Sequence, residues 1–246
     1  MTGAKKAAKP VTKRAAKRAA KPAAKRAAKP RAPARRSEAA ISRRLKQIEV
    51  KRGAILAAAL EVFSRYGLHG ASLDQVAERA DVSKSNLLYY FSDKEELYVA
   101  VLRDILTIWL APLSDFGAER DPREAIGEYI EHKLAISRDH PAASRLFCLE
   151  MLQGAPLLRN ELGMALRDMV ERKSEVMREW AASGRLADVE PRHFLFMVWA
   201  TTQHYADFAV QVEALTGRTL ADPDFFAETV RNVKAAVLDG VLPRRG

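Results

Sequence analysis

One cysteine, Cys148, stands in the whole sequence of 246 residues. A lone cysteine forms no intrachain disulfide and has no partners for a thiolate metal site. In the run "SRLFCLEMLQG" it is expected as a small buried hydrophobe, with a reactive thiol as the other reading. Such thiol usage fits a reducing cytoplasm. Histidine is also scarce. His69, His132, His140, His193 and His204 show no metal-ligand spacing. No phosphate-binding glycine loop and no nucleophile motif is present, so catalysis and a resident cofactor are not expected. No apolar run approaches the roughly 20 residues of a membrane span. The amino terminus is basic without an apolar stretch behind it, unlike a secretory signal. A cytoplasmic protein with no membrane partner is the expectation.

Aromatic residues are absent from residues 1–46, and acidic ones nearly so: 17 Lys and Arg face Glu38 alone, a net charge of +16. The chain as a whole carries +10, so the remaining 200 residues are mildly acidic at −6. The basic excess therefore belongs to a tail. Lys13, Lys17, Lys21, Lys25 and Lys29 recur every four residues, while Pro10, Pro22, Pro30 and Pro33 interrupt any long helix. The composition predicts disorder over 1–46. Two roles stay open for it: a sequence-blind DNA tether, in which each lysine on a phosphate releases counterions, or a solubilising extension.

What the body has is helical periodicity. In "QIEVKRGAILAAALEVFSRYG" the positions Ile55, Leu56, Ala59, Leu60 and Phe63 share one face, and Gly67 is the expected stop. "SLDQVAERA" follows, with Ser72 and Gln75 as a capping box. After a short turn, Ser83 caps "KSNLLYYF". Two short helices across a tight turn, braced by a longer one, make a helix-turn-helix. Its second helix is expected to present Lys84, Ser85, Asn86, Tyr89 and Tyr90, with Leu87 and Phe91 as anchors. Ser85 and Asn86 lie where base edges are reached. Lys84, Tyr89 and Tyr90 suit phosphates, with Ser72, Ser83 and Lys94 completing the candidate DNA surface. In "SDKEEL", Ser92 is the expected cap, with Glu95 as its box partner. Each residue alone is uninformative; the constellation is not.

The remainder reads as helices opened by proline and closed by glycine, about nine in all, with no strand. The expected division is a tail (1–46), a DNA-binding unit (47–92) and a ligand-binding and dimerisation unit (93–246). Helices open at Pro122, Pro141, Pro156, Pro191 and Pro223. The last two long ones are apolar on more than one face. A large monomer core or a two-fold four-helix interface would each bury that surface. On the segment from Pro191, Phe196, Trp199 and Gln203 share a stripe at spacings of three and four. Trp109, at the end of the fourth helix, and the pair Phe147 and Met151 could line the same space. Aromatic rings with one amide suit a flat, polar-edged heterocycle. The plainer reading makes Trp199 core and Gln203 a backbone cap.

The run "AALEVFSRYGLHGASLDQVAERADVSKSNLLYYFSDKEELYVAVL" resembles the DNA-binding domain of TetR-family transcriptional regulators. The resemblance implies an all-α homodimer that binds a near-palindromic double-stranded operator and releases it when a small ligand binds. Asp81 stands where that family mostly has Gly, and Leu88 where a Tyr is common. A narrower resemblance runs over 47–245, through "ILTIWLAPL", "SRDHPAASRLFCLEMLQGAPLL" and "WATTQHYADFAVQVEALTG". These are similar to TetR-family regulators of pyrimidine utilisation. It implies uracil or thymine as effector, Trp199 and Gln203 in contact with it, and Trp109, Phe147 and Met151 as walls. Another effector on the same architecture, or a nucleoid-compacting protein using the tail, remain the alternatives; His204, Tyr205 and Asp207 stay unassigned.

Overall fold

The computed structural model describes residues 34–159 and 166–242. Among them are ten α-helices and no strand. They are α1 (Ala34–Gly70), α2 (Leu73–Arg79), α3 (Lys84–Tyr90), α4 (Lys94–Leu110), α5 (Pro122–Asp139), α6 (Pro141–Leu152), α7 (Arg167–Ala182), α8 (Pro191–Asp207), α9 (Ala209–Thr216) and α10 (Pro223–Val241). A 3-10 turn, Ala111–Asp115, follows α4.

The chain divides into two units, Met1–Arg44 and Leu45–Gly246. Of the first, the described residues 34–44 are helical. This corrects the expected tail over 1–46: the described residues 34–46 are helical, in "ARRSEAAISRRLKQ", which carries strong helix formers and no proline. The lysine repeats and the expected disorder of 1–33 lie outside the described residues. So do residues 160–165 of the helix expected from Pro156.

Within the second unit two apolar clusters dominate. The first joins Ile55, Ala59 and Phe63 of α1, Val76, Leu87, Phe91, Leu97, Leu102 and Trp109 with Ala143 and Leu146 of α6. The second joins Ile126, Tyr129, Ile130 and Leu134 of α5 with Met177, Trp180, Leu195, Val198 and Val233. Lys94–Asp115 is 22 residues long and holds an 18-residue window of mean hydropathy 1.5, long and apolar enough by composition to cross a membrane. That corrects the expectation of no run near this length, which Arg103 and Asp104 had hidden. In the fold it is a core helix, with Leu97, Leu102, Ile105 and Trp109 buried.

Local chemistry explains most boundaries. Gly67, at φ 66°, breaks the helical path of α1. Ser72 and Gln75 make both bonds of the capping box. The cap of α4 is Asp93, one residue later than expected: its carboxylate accepts the Glu96 N–H at 2.8 Å, while the Ser92 N–H donates to Glu96 Oε2 at 2.6 Å. A carboxylate at the positive end of a helix is the stronger acceptor. The backbone N–H of Glu96 holds the Asp93 carboxyl below its usual range.

The long helix expected from Pro191 to Gly217 is two. Phe208, at φ −114° and ψ 32°, separates α8 from α9, although its N–H still donates to His204. The break falls just after Asp207, whose carboxylate is held by Ser144 of α6.

Asp81 in the turn before α3 sits at φ 52°. Aspartate tolerates this left-handed backbone and a β-branched residue does not. Asp81→Gly should therefore melt at or above the wild-type temperature, and Asp81→Val should lose about 1–2 kcal/mol in thermal unfolding. Equal melting of the two variants would show that the turn carries no such constraint.

Candidate functional site

The helix-turn-helix takes the expected form. Ser83 caps α3 by accepting the Asn86 N–H, and Leu87 is the fully buried anchor of that helix, with Phe91 buried behind it. Lys84, Ser85 and Tyr89 are exposed, Tyr89 at 71%. Asn86 and Tyr90 are half-buried, Tyr90 packing on the first cluster, so the surface is narrower than expected. The Tyr89 and Tyr90 rings meet edge to face at 5.2 Å. Lys84 pairs with Asp74 at 2.8 Å. Lys94 donates to the Ala71 carbonyl at 2.9 Å, which ties the start of α4 to the α1–α2 corner. Ser72 and Ser83 use their hydroxyls as caps.

At the other end of α4 the interior turns polar. Tyr129, Lys133 and Ser137 lie one turn apart on α5. Trp199, Gln203 and Asp207 lie one turn apart on α8, the helix against which α5 packs most extensively. The Trp199 indole N–H donates to the Tyr129 hydroxyl at 2.6 Å. Asp207 accepts the Ser144 hydroxyl at 2.5 Å. Burial pushes the Asp207 carboxyl up from its ordinary value, against the hydrogen bonds from Ser144 and Cys148. Burial likewise raises the Cys148 thiol.

Lys133 is 1% exposed, and its ammonium lies 5.3 Å from the centre of the Trp109 ring. Burial drives it down to about 7, against the attraction of Asp207. The Trp109 indole N–H and the Ser137 hydroxyl are buried without a hydrogen-bond partner among the described residues. Gln203 is half-buried, and among the described residues its amide has no hydrogen-bond partner.

The expected ligand residues divide. Trp109 is buried at 5% in the first cluster, on which Phe147 and Met151 pack. Trp199 packs on the second. Trp199 and Phe196, rings 5.8 Å apart, line an open cavity of about 560 Å³ with Arg167, Glu171 and Arg192. Trp109, Phe147 and Met151 do not line that cavity. What links Trp109 to the α8 stripe is Lys133. The unassigned residues separate too: Asp207 is polar interior, Tyr205 packs edge-on to Phe225, and exposed His204 stacks on Phe208.

Two family models cover the body of the chain. Residues 55–101 match the bacterial regulatory proteins of the tetR family, and residues 102–244 match the C-terminal region of YcdC-like proteins. The chain belongs to the TetR family of transcriptional regulators. The HTH-type transcriptional regulator RutR of Escherichia coli (strain K12) is 55% identical over 202 residues, covering 82% of this chain and 95% of RutR. The regulator of the same name from Escherichia coli O157:H7 matches equally. A TetR-family regulator from Marinobacter aquaeolei shares the fold, with TM-score 0.64, 20% identity and coverage of 81% and 99% of the two chains. A TetR-like regulator from Rhodococcus superposes with TM-score 0.57 at 19% identity over 78% of this chain and 95% of its own.

In this TetR-family chain the DNA-reading surface was legible as a motif, whereas Lys133 was passed over. The signal was present. Ile126, Tyr129, Ile130, Lys133, Leu134 and Ser137 follow one helical stripe, so a lysine on that stripe had to be buried. Buried lysines are rare unless paired.

Proposed function

We propose that this TetR-family regulator is a homodimeric repressor of pyrimidine-utilisation genes, released from its operator by a pyrimidine such as uracil or thymine. Ser85 and Asn86 would reach base edges, and Lys84, Tyr89, Tyr90 and Lys94 the phosphates, with Ser72 and Ser83 at the cap positions beside them. Phe208, Val210 and Leu215, all more than half exposed on and beside α9, support a second copy as partner. Trp199 would stack on the flat ring. Gln203 would offer its O–C–N–H edge a donor and an acceptor together, with Trp109, Phe147 and Met151 closing the space.

The observation that carries this reading is Gln203, half-buried and without a hydrogen-bond partner among the described residues, one turn from Trp199. A half-buried amide that makes no bond within the described residues is available to a ligand edge offering it a donor and an acceptor. The coupling element is α4: Lys94 holds the DNA-reading half at one end and Trp109 sits in the ligand half at the other. At about 1.5 Å per residue, its 17 residues carry a small shift over about 25 Å.

The test is a titration. Operator duplexes selected from random DNA by the full chain should lose affinity at least about tenfold when uracil is added. Unchanged affinity in uracil and thymine refutes the pyrimidine reading. Gln203→Leu should keep operator binding and lose the uracil response. Removing residues 1–33 should flatten the salt dependence and lower non-specific affinity while specific binding persists, as expected for an accessory tether. Loss of sequence preference would instead favour a compacting protein.

A further inference from the structure

We infer that Lys133, with the Trp109 indole N–H and the Ser137 hydroxyl, forms a donor subsite that binds a carbonyl oxygen of the effector. The inference rests on the pyrimidine reading above and adds to it the atom recognised. Three interior donors come from two helices: Lys133 and Ser137 one turn apart on α5, and Trp109 of α4, whose ring centre lies 5.3 Å from the Lys133 ammonium. Two of them are buried polar atoms with no hydrogen-bond partner among the described residues. Lys133 makes no hydrogen bond among the described residues, its company being the Trp109 ring and the charge of Asp207.

A packed interior does not ordinarily keep unpaired donors of three kinds side by side, because each forfeits its bonds to water. One group satisfies them all: an acceptor-rich oxygen. A pyrimidine-dione offers two such oxygens flanking ring N–H groups. Gln203, one turn from Asp207 on the helix packed against α5, would take an amide edge of the same ring. The division of labour follows from chemistry. Gln203 reads a donor–acceptor edge, and the side formed by Lys133 and the Trp109 indole N–H, which are donors, reads an oxygen. An apolar or purely donor ligand would leave the subsite as costly as it is when unfilled.

Calorimetry on the full chain tests this with uracil and with its two mono-oxo analogues, 2-pyrimidinone and 4-pyrimidinone. The wild type should bind one analogue about 10- to 100-fold more weakly than uracil, the loss expected for a hydrogen bond to a charged group. Lys133→Met should lose a similar factor for uracil and no longer distinguish uracil from that same analogue. The non-additivity assigns the contact to that oxygen, which a merely structural lysine would not produce. Ser137→Ala, which removes one hydroxyl from the interior, should show a smaller loss in the same direction. If Lys133→Met folds and binds uracil within about threefold of wild type, the inference is overturned and the pyrimidine reading stands. If the wild type binds neither uracil nor thymine, both fall together.

Discussion

Leu87→Ala should lower stability by about 2–5 kcal/mol in chemical denaturation and reduce operator affinity by more than about 100-fold. Leu87 is the one fully buried side chain of the seven-residue α3. A helix that short has no stability of its own and keeps its place only through what it buries. Truncating Leu87 leaves a cavity against Phe91 and the α1–α2 core, so the helix that must sit in a major groove loses its fixed angle. Phe91, one turn on and 2% exposed, cannot hold it alone. Leu88, next in sequence but 41% exposed, is the control. Leu88→Ala should change stability by less than about 0.5 kcal/mol. Equal losses from the two variants would mean that α3 is held by something other than its anchor.

The contrast between these adjacent leucines shows why the DNA-reading half was legible from sequence. Its determinants are local: apolar spacing on α1, the Ser72–Gln75 box, the Ser83 cap and the left-handed Asp81. Each is decided within a few residues, so pattern reads through to structure. The Ser92 cap failed because two neighbouring residues could both cap, and the choice depended on the acceptor strength of Asp93. The helix over 34–46 is hidden in the sequence by its charge, although its residues are strong helix formers.

The interior of the ligand half depends on long-range pairing. Tyr129 meets Trp199 across 70 residues, and Ser144 meets Asp207 across 63. Nothing in "WATTQHYADF" says that Asp207 turns inward while His204 stays at the surface; only the packing of α5 and α6 on α8 decides it. Lys133 is intermediate. Its register was readable, but a lone charge on a buried stripe was given no meaning until its neighbours were known.

Lys133→Met should make the protein more stable, by about 1–4 kcal/mol near neutral pH, even as effector binding weakens. Methionine keeps the length and replaces an ammonium that has no hydrogen bond among the described residues with a thioether at ease beside the Trp109 ring. Asp207 keeps the Ser144 hydroxyl as its partner. The pH dependence identifies the source of the gain. Burial places the Lys133 ammonium at about 7 in the folded chain, whereas an unfolded lysine titrates near 10.4. Between these values the unfolded state holds more protons, so wild-type stability should rise with pH. The groups facing Lys133 do not reverse this. Asp207, its carboxyl raised by burial, is present in both proteins and keeps its Ser144 partner, and buried Tyr129, shifted upward, opposes the trend only above about pH 10, where unfolded tyrosine ionises. Lys173, also lowered by burial, adds the same slope to both proteins and cancels in the comparison. Denaturant unfolding of the two proteins from pH 7 to 9.5 is the measurement. The stability difference should be largest at pH 7 and shrink steadily as pH rises. A difference independent of pH would show that Lys133 carries no buried charge. A destabilised Lys133→Met at every pH would make Lys133 a structural residue. A lysine that lowers the stability of the fold while sitting beside two unpaired donors is the arrangement expected of a residue kept for binding.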